Sequence, residues 1–297
     1  METIKDAIIS ARPHLSKQSV STYTSILKNL YEKIFGKENF SLDNFSNTEE
    51  ILKFLNTLPP NKRKTILSAL VILTDSKPYR QQMLEDINSY NKQQRTQEMS
   101  ESQKNSWVAT DDIKKLLAVL EREVKLLYKK ETLTNSDLQT IQNYIIICLL
   151  GGIYIPPRRS KDYVDFKIKN INKSSDNFFN KNKFIFNSYK TAKTYGQQDL
   201  IIPDDLQKII RKWIKINPTE YLLFDNNGNK LSNVKLNQRL NKLFGNKKVG
   251  VNQLRHTYLS DKYQDTIKTN NEMAQDLNNM GSSIIQEKIY IKKKNSL

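Results

Sequence analysis

Five side chains spread along the chain are of types that together could break a phosphodiester. They are Arg159 in PPRRSKDY (156–163), Lys190 in SYKTAKTYG (188–196), Asn252 and Arg255 in NQLRHTYLS (252–260), and Tyr290 in QEKIYIKKK (286–294). A guanidinium presents a planar fork of donors that matches two phosphate oxygens. A lysine can hand a proton to a departing oxygen. A phenol can attack phosphorus, and nearby cations offset its high pKa of ~10 by favouring the phenolate. Pro156 and Pro157 stiffen the approach to Arg158 and Arg159, which suits presentation of one arginine at a defined place. Taken singly, each is an ordinary feature: a charged junction, a lysine-bearing turn, an aromatic in a basic tail.

Charge gives these residues a partner. The 297 residues contain 48 Lys and Arg against 31 Asp and Glu, a formal charge of +17, and the pI is near 9.6. That excess points to a polyanion, with nucleic acid first. Lys62, Arg63 and Lys64, at the start of an apolar helix pattern, are candidate phosphate contacts, as is Lys193. Cys148 is the one cysteine and sits in the apolar run YIIICLL, so it reads as a buried small hydrophobe rather than a disulfide partner. With His14 and His256 the only histidines, a histidine-rich metal site is excluded, and neither metal nor cofactor is expected. The N-terminal stretch is too polar for a secretory signal, and the longest apolar run (144–155) is short for a membrane span. The expectation is a soluble intracellular protein.

The elements that must hold these residues fall into two groups. Helical spacing over 17–35, 47–58, 61–73 and 78–93 predicts a small helical domain, residues 1–94. Residues 95–108 have no apolar period and read as a linker. Residues 109–297 form the second domain. It opens with helices at 111–130 and 136–150, continues with strands at 163–168, 183–189 and 199–203, and ends with helices at 204–216, 233–244 and 271–280. The polar stretch TAKTYGQQ (191–198) is the turn of a hairpin carrying Lys190 and Lys193. The fold class is mainly α with a small β-sheet (α+β).

In this order (Arg, Lys, Arg, Tyr) and this setting, the chain resembles the tyrosine recombinase family, the phage-type integrases. The family's first arginine box reads Gly-x-Arg-x-x-Glu-Leu, then a hydrophobic residue and Asp-Ile. Arg159, Asp162, Tyr163, Phe166 and Asn170-Ile171 fall on that pattern, which selects Arg159 over Arg158. Lys190 matches the hairpin lysine, with Lys193 as the rival. LRHT matches the second box at Arg255, and Ile289-Tyr290 matches the nucleophile. Two positions depart from the pattern. Asn252 stands where the second box usually begins with histidine. A further His or Trp is replaced by Gly281, by strict counting, or by Ser282, by local pattern.

The resemblance implies a two-domain clamp on double-stranded DNA, with a helical core-binding domain and a mixed catalytic domain. It implies a homotetramer on DNA and a monomer or dimer when free. Tyr290 attacks a DNA phosphate to leave a 3′-phosphotyrosyl link. Arg159 and Arg255 hold the non-bridging oxygens, and Lys190 protonates the 5′ oxygen. Asn252 hydrogen-bonds a phosphate oxygen, Asp162 orients Arg159, and His256 and Ser282 support the site. The role implied is integration or resolution of viral or mobile-element DNA, in a host nucleus, a viral DNA compartment or the cytoplasm. Two alternatives stand beside it: a type IB topoisomerase-like enzyme, and a DNA-binding protein with weakened catalysis.

Overall fold

A computed structural model describes residues 3–38, 40–95, 98–245 and 247–279. The chain divides into two compact units, Met1–Met99 and Ser100–Leu297. In the first, α1 (Ile4–Ala11), α2 (Lys17–Ile34), α3 (Thr48–Leu55), α4 (Pro60–Thr74) and α5 (Lys77–Arg95) surround one apolar core. Helix α1 was not anticipated. It starts on a capping box in which Thr3 and Asp6 each satisfy the other's backbone N–H. A short 3-10 turn, Leu42–Ser46, seats Phe45 in the core, and Tyr79 donates its hydroxyl to the Phe45 carbonyl at 2.9 Å.

The second unit begins earlier than the sequence suggests. Within the expected linker, Ser100 caps a helix, α6 (Glu101–Ser106), through a reciprocal bond with Gln103. Val108 then enters the core of this unit. Segment 95–108 lacks an apolar period because a six-residue helix needs only its cap and one inward end. Helices α7 (Thr110–Leu127) and α8 (Asn135–Leu150) pack together, and Ile145–Leu150 is wholly buried. Cys148 is buried, as expected.

The sheet order is β1 (Phe166–Lys167), β2 (Asn177–Asn180), β3 (Lys183–Phe186), β4 (Gln198–Ile201). The first pair is parallel and the other two antiparallel. Three expectations change here. Of the strand predicted at 163–168, Tyr163 and Val164 end a short helix, α9 (Ser160–Val164), and only Phe166–Lys167 is strand. Strand β2 was missed because its partner turn is Lys181-Asn182, not the Asn-Gly that advertises a two-residue hairpin. Lys181 takes the left-handed conformation itself, at φ 54°. The stretch read as a turn contains a one-turn helix, α10 (Ala192–Tyr195), stopped by Gly196 at φ 65° and ψ −157°, which a side chain would oppose.

Helices α11 (Asp204–Ile216) and α12 (Asn233–Leu243) follow the predicted bounds closely. Trp213 of α11 stacks on Phe224 and donates its indole N–H to the Leu222 carbonyl. The last described element, α13 (Val251–Asn279), begins some twenty residues before the helix read at 271–280 and runs on as one helix, since neither Gly nor Pro interrupts it. The described architecture is mainly helical with one small sheet, as the periodicities implied. Among the described residues, no helix is long and apolar enough to cross a membrane, and no cluster of His, Cys, Asp and Glu could hold a metal.

Candidate active site

The charges of arginines distant in sequence act on one buried carboxylate. Asp162 lies in the first turn of α9 with its side chain 2 % exposed. Burial pushes its pKa up, and the charges of Arg158, Arg159 and Arg255 oppose that rise. Arg158 makes the direct pair, Nε to Oδ2 at 2.9 Å. Oδ1 is buried with no hydrogen-bond partner among the described residues. One buried acid thus feels three cations, of which, among the described residues, only Arg158 is bonded to it.

Local structure explains the placement of each. Arg159 is the N-cap of α9, in an extended conformation, and its side chain is half-buried. Arg255 is on α13, and two of the contacts that hold this helix lie within one turn of it. Thr257 donates its hydroxyl to the Val108 carbonyl at 2.9 Å, and the Tyr258 ring lies against Gly152. A Cβ at Gly152 would stand 2.8 Å from Tyr258 Cδ2, and the residue has φ 74°. Gly152 therefore lets α13 approach the turn that leads into Pro156-Pro157 and the two arginines. Asn252, one turn before Arg255, is exposed, and its Oδ1 is 3.5 Å from Arg255 Nη1. His256 is exposed.

Lys190 and Lys193 are both exposed on the connection between β3 and β4. Two buried groups that the sequence reading passed over tie that connection to α9. The first is Asn177, fully buried on β2. Its amide donates to the carbonyls of Asp162 (3.0 Å) and Ser188 (2.8 Å), and its Oδ1 accepts from the N–H groups of Asn187 and Ser188. The second is Arg158, whose guanidinium lies 3.9 Å above the Phe186 ring centroid and donates to Gln198 Oε1 at 3.0 Å. No sequence signal distinguished Asn177 among the many asparagines of this chain. Arg158 was visible only as the neighbour that the arginine box rejected.

The basic cluster of the first unit is arranged differently from expectation. Arg63 does not stand free on the surface. Both its Nε and Nη2 bind Asp86, at 2.7 and 2.6 Å, and Nη1 binds Asn56 Oδ1. Asp86 is 3 % exposed, so this guanidinium is the counter-charge that lets an acid be buried. Lys64 lies over the Tyr90 ring at 3.1 Å, and Lys62 is exposed. Tyr290 and Ser282 lie outside the described residues.

No family model matches this chain, and no curated protein does. Among solved structures, the chain is similar to a lambda integrase dimer bound to a COC′ core site, with 12 % identity over 88 % of this chain and 69 % of that one, at a TM-score of 0.48. It is likewise similar to lambda integrase(75–356), again a dimer bound to a COC′ core site, with 13 % identity over 99 % of this chain and 98 % of that one, at a TM-score of 0.48.

Proposed function

We propose that the chain is a DNA strand-transferase of the tyrosine recombinase type. What supports the reading is that the buried Asp162 carboxylate, bonded to Arg158, also feels the charges of Arg159 and Arg255, the two arginines that match the family's boxes. Two preorganised cations at one phosphate would offset the charge that builds as phosphorus becomes pentacoordinate. Such a donor contributes roughly 3–4 kcal/mol to a barrier. Tyr290 forms the bond to phosphorus while the bond to the 5′ oxygen breaks, and Lys190 supplies that oxygen's proton. Asp162 holds Arg159 and Arg255 by charge rather than by a shared hydrogen bond. Asn252 extends the set of donors but, as an amide, accepts no proton. The partner is duplex DNA and the assembled form a tetramer. The role is joining or resolving the DNA of a virus or mobile element.

The decisive experiment is covalent capture on nicked duplexes, from which the strand beyond the nick is lost after cleavage. The wild type should give a protein–DNA adduct that survives denaturation, and Tyr290→Phe should give none. An adduct from the Phe variant would mean that the nucleophile is another residue. Salt-sensitive duplex binding without any adduct would favour the second reading, a DNA-binding protein with weakened catalysis, for which Asn252 in place of a proton acceptor is the specific motive.

A further inference from the structure

Arg158 carries a role that neither arginine box describes. Its guanidinium touches three pieces of chain at once. Nε is bonded to Asp162 of α9, the helix that Arg159 caps. The face of the group lies on Phe186, the last residue of β3, and 5.3 Å from the Tyr189 ring centroid. Nη1 is bonded to Gln198, the first residue of β4. Phe186 and Tyr189 precede Lys190, and Gln198 follows it. Tyr189 then closes the same connection by donating its hydroxyl to the Gly196 carbonyl at 2.7 Å. One planar cation, only 20 % exposed, thus grips both ends of the segment that carries Lys190 and ties them to the start of the helix that presents Arg159. Asn177 ties the base of the same segment, at 187–188, but reaches no further along it.

We propose that Arg158 is a positioning residue that sets where Lys190 stands relative to Arg159. The proposal rests on the function proposed above and assigns the lysine's placement to one side chain. A lysine cannot replace it fully, because a point charge has neither the flat face for Phe186 nor the fork that reaches Asp162 and Gln198 together. In the reaction, the tyrosine–phosphorus bond forms and the bond from phosphorus to the 5′ oxygen breaks. Lys190 gives a proton to the departing oxygen, and the phenol proton goes to solvent. Displacing Lys190 should harm only the step that needs its proton.

The test uses the full chain and a nicked duplex selected from a randomised pool by covalent capture with the wild type. That duplex is compared with a copy bearing sulfur in place of the bridging 5′ oxygen. The sulfur departs as a thiolate, with a conjugate-acid pKa of ~8.5, and needs no donated proton. Arg158→Met should lose about 100-fold in cleavage rate on the oxygen substrate, in the range of a lost general acid. It should return to near the wild-type rate on the sulfur substrate, with Arg158→Lys intermediate on the first. A defect of equal size on both substrates would overturn the proposal while leaving the recombinase reading intact. No adduct from the wild type on any duplex would overturn both. Hydrogen exchange on the protein alone gives a second measure, usable with Arg158→Lys if the Met variant folds poorly. Faster exchange over 187–198 with β2 unchanged supports the proposal, and unchanged exchange over 187–198 overturns it.

Discussion

Each unit of the molecule buries an aspartate beside an arginine, and the two pairs are built differently. In the first unit Arg63 spends Nε and Nη2 on the two oxygens of Asp86 and Nη1 on Asn56. Gln82 approaches Asp86 as well, at 3.4 Å. That pair is closed: one cation, one acid, every strong valence used. In the second unit Asp162 has one bonded arginine, two more arginines whose charges act on it, and an oxygen without a partner among the described residues. That cluster is open, with cationic charge in excess of the buried acid. A closed pair adds to the integrity of the core it sits in. An open cluster keeps cationic charge beyond what its buried acid offsets, an arrangement common at sites that take an anion.

The comparison can be broken most easily on the closed side. Arg63→Ala leaves the Asp86 carboxylate buried and unpaired, so we expect a loss of ~3–5 kcal/mol in unfolding free energy, measured by denaturant titration. The cleavage rate per folded molecule should stay unchanged. Arg159→Ala should do the reverse. It should lower covalent adduct formation by a factor of about 100 to 1,000, equivalent to ~3–4 kcal/mol, with the unfolding midpoint little altered. If Arg159→Ala proved as destabilising as Arg63→Ala, the open cluster would be another structural pair and the distinction would fall.

A third acid sharpens the comparison at smaller amplitude. Asp137 caps α8 through Thr134 and accepts from Lys130, and these bonds, with the Lys130 bond foremost, lower its pKa to about 2. A depressed carboxylate favours the folded state above its unfolded pKa, near 3.8, and loses that contribution as pH falls through about 2. Asp137→Asn should therefore flatten the decline in thermal midpoint between pH 4 and pH 2. Asp162, shifted the opposite way by burial, should contribute nothing to that decline.

Much of the fold could be read from apolar spacing. Helices α2, α3, α4, α7, α8, α11 and α12 all lie near their predicted bounds because each shows a continuous stripe or a buried run. The failures have separate, local causes: helix α6 carries no apolar stripe, and strand β2 lacks the Asn-Gly turn that marks a two-residue hairpin. For the candidate site, Arg159, Lys190, Asn252 and Arg255 could be put forward from the sequence because chemistry restricts which side chains handle a phosphate, and in what order. Arg158 and Asn177 were not, since a supporting side chain is recognised by what it touches, and its contacts come from β3, β4 and the 187–188 segment rather than from its own neighbours.

Sequence alone determined the charge, the mainly helical character with a small sheet, and the residue types able to handle a phosphate. These follow from composition and from local periodicity, which need no partner. Tertiary structure alone decided what binds each arginine. Arg158 and Arg159 are adjacent and chemically identical, and in the sequence only the fit to a family pattern separates them. The difference arises because the Phe186 ring, Gln198 and Asp162 converge on one guanidinium and consume its donors, while its neighbour, at the cap of α9, makes no side-chain hydrogen bond among the described residues. Arg63 gives the same lesson in reverse: it looked like a surface cation until the fold brought Asp86 to it.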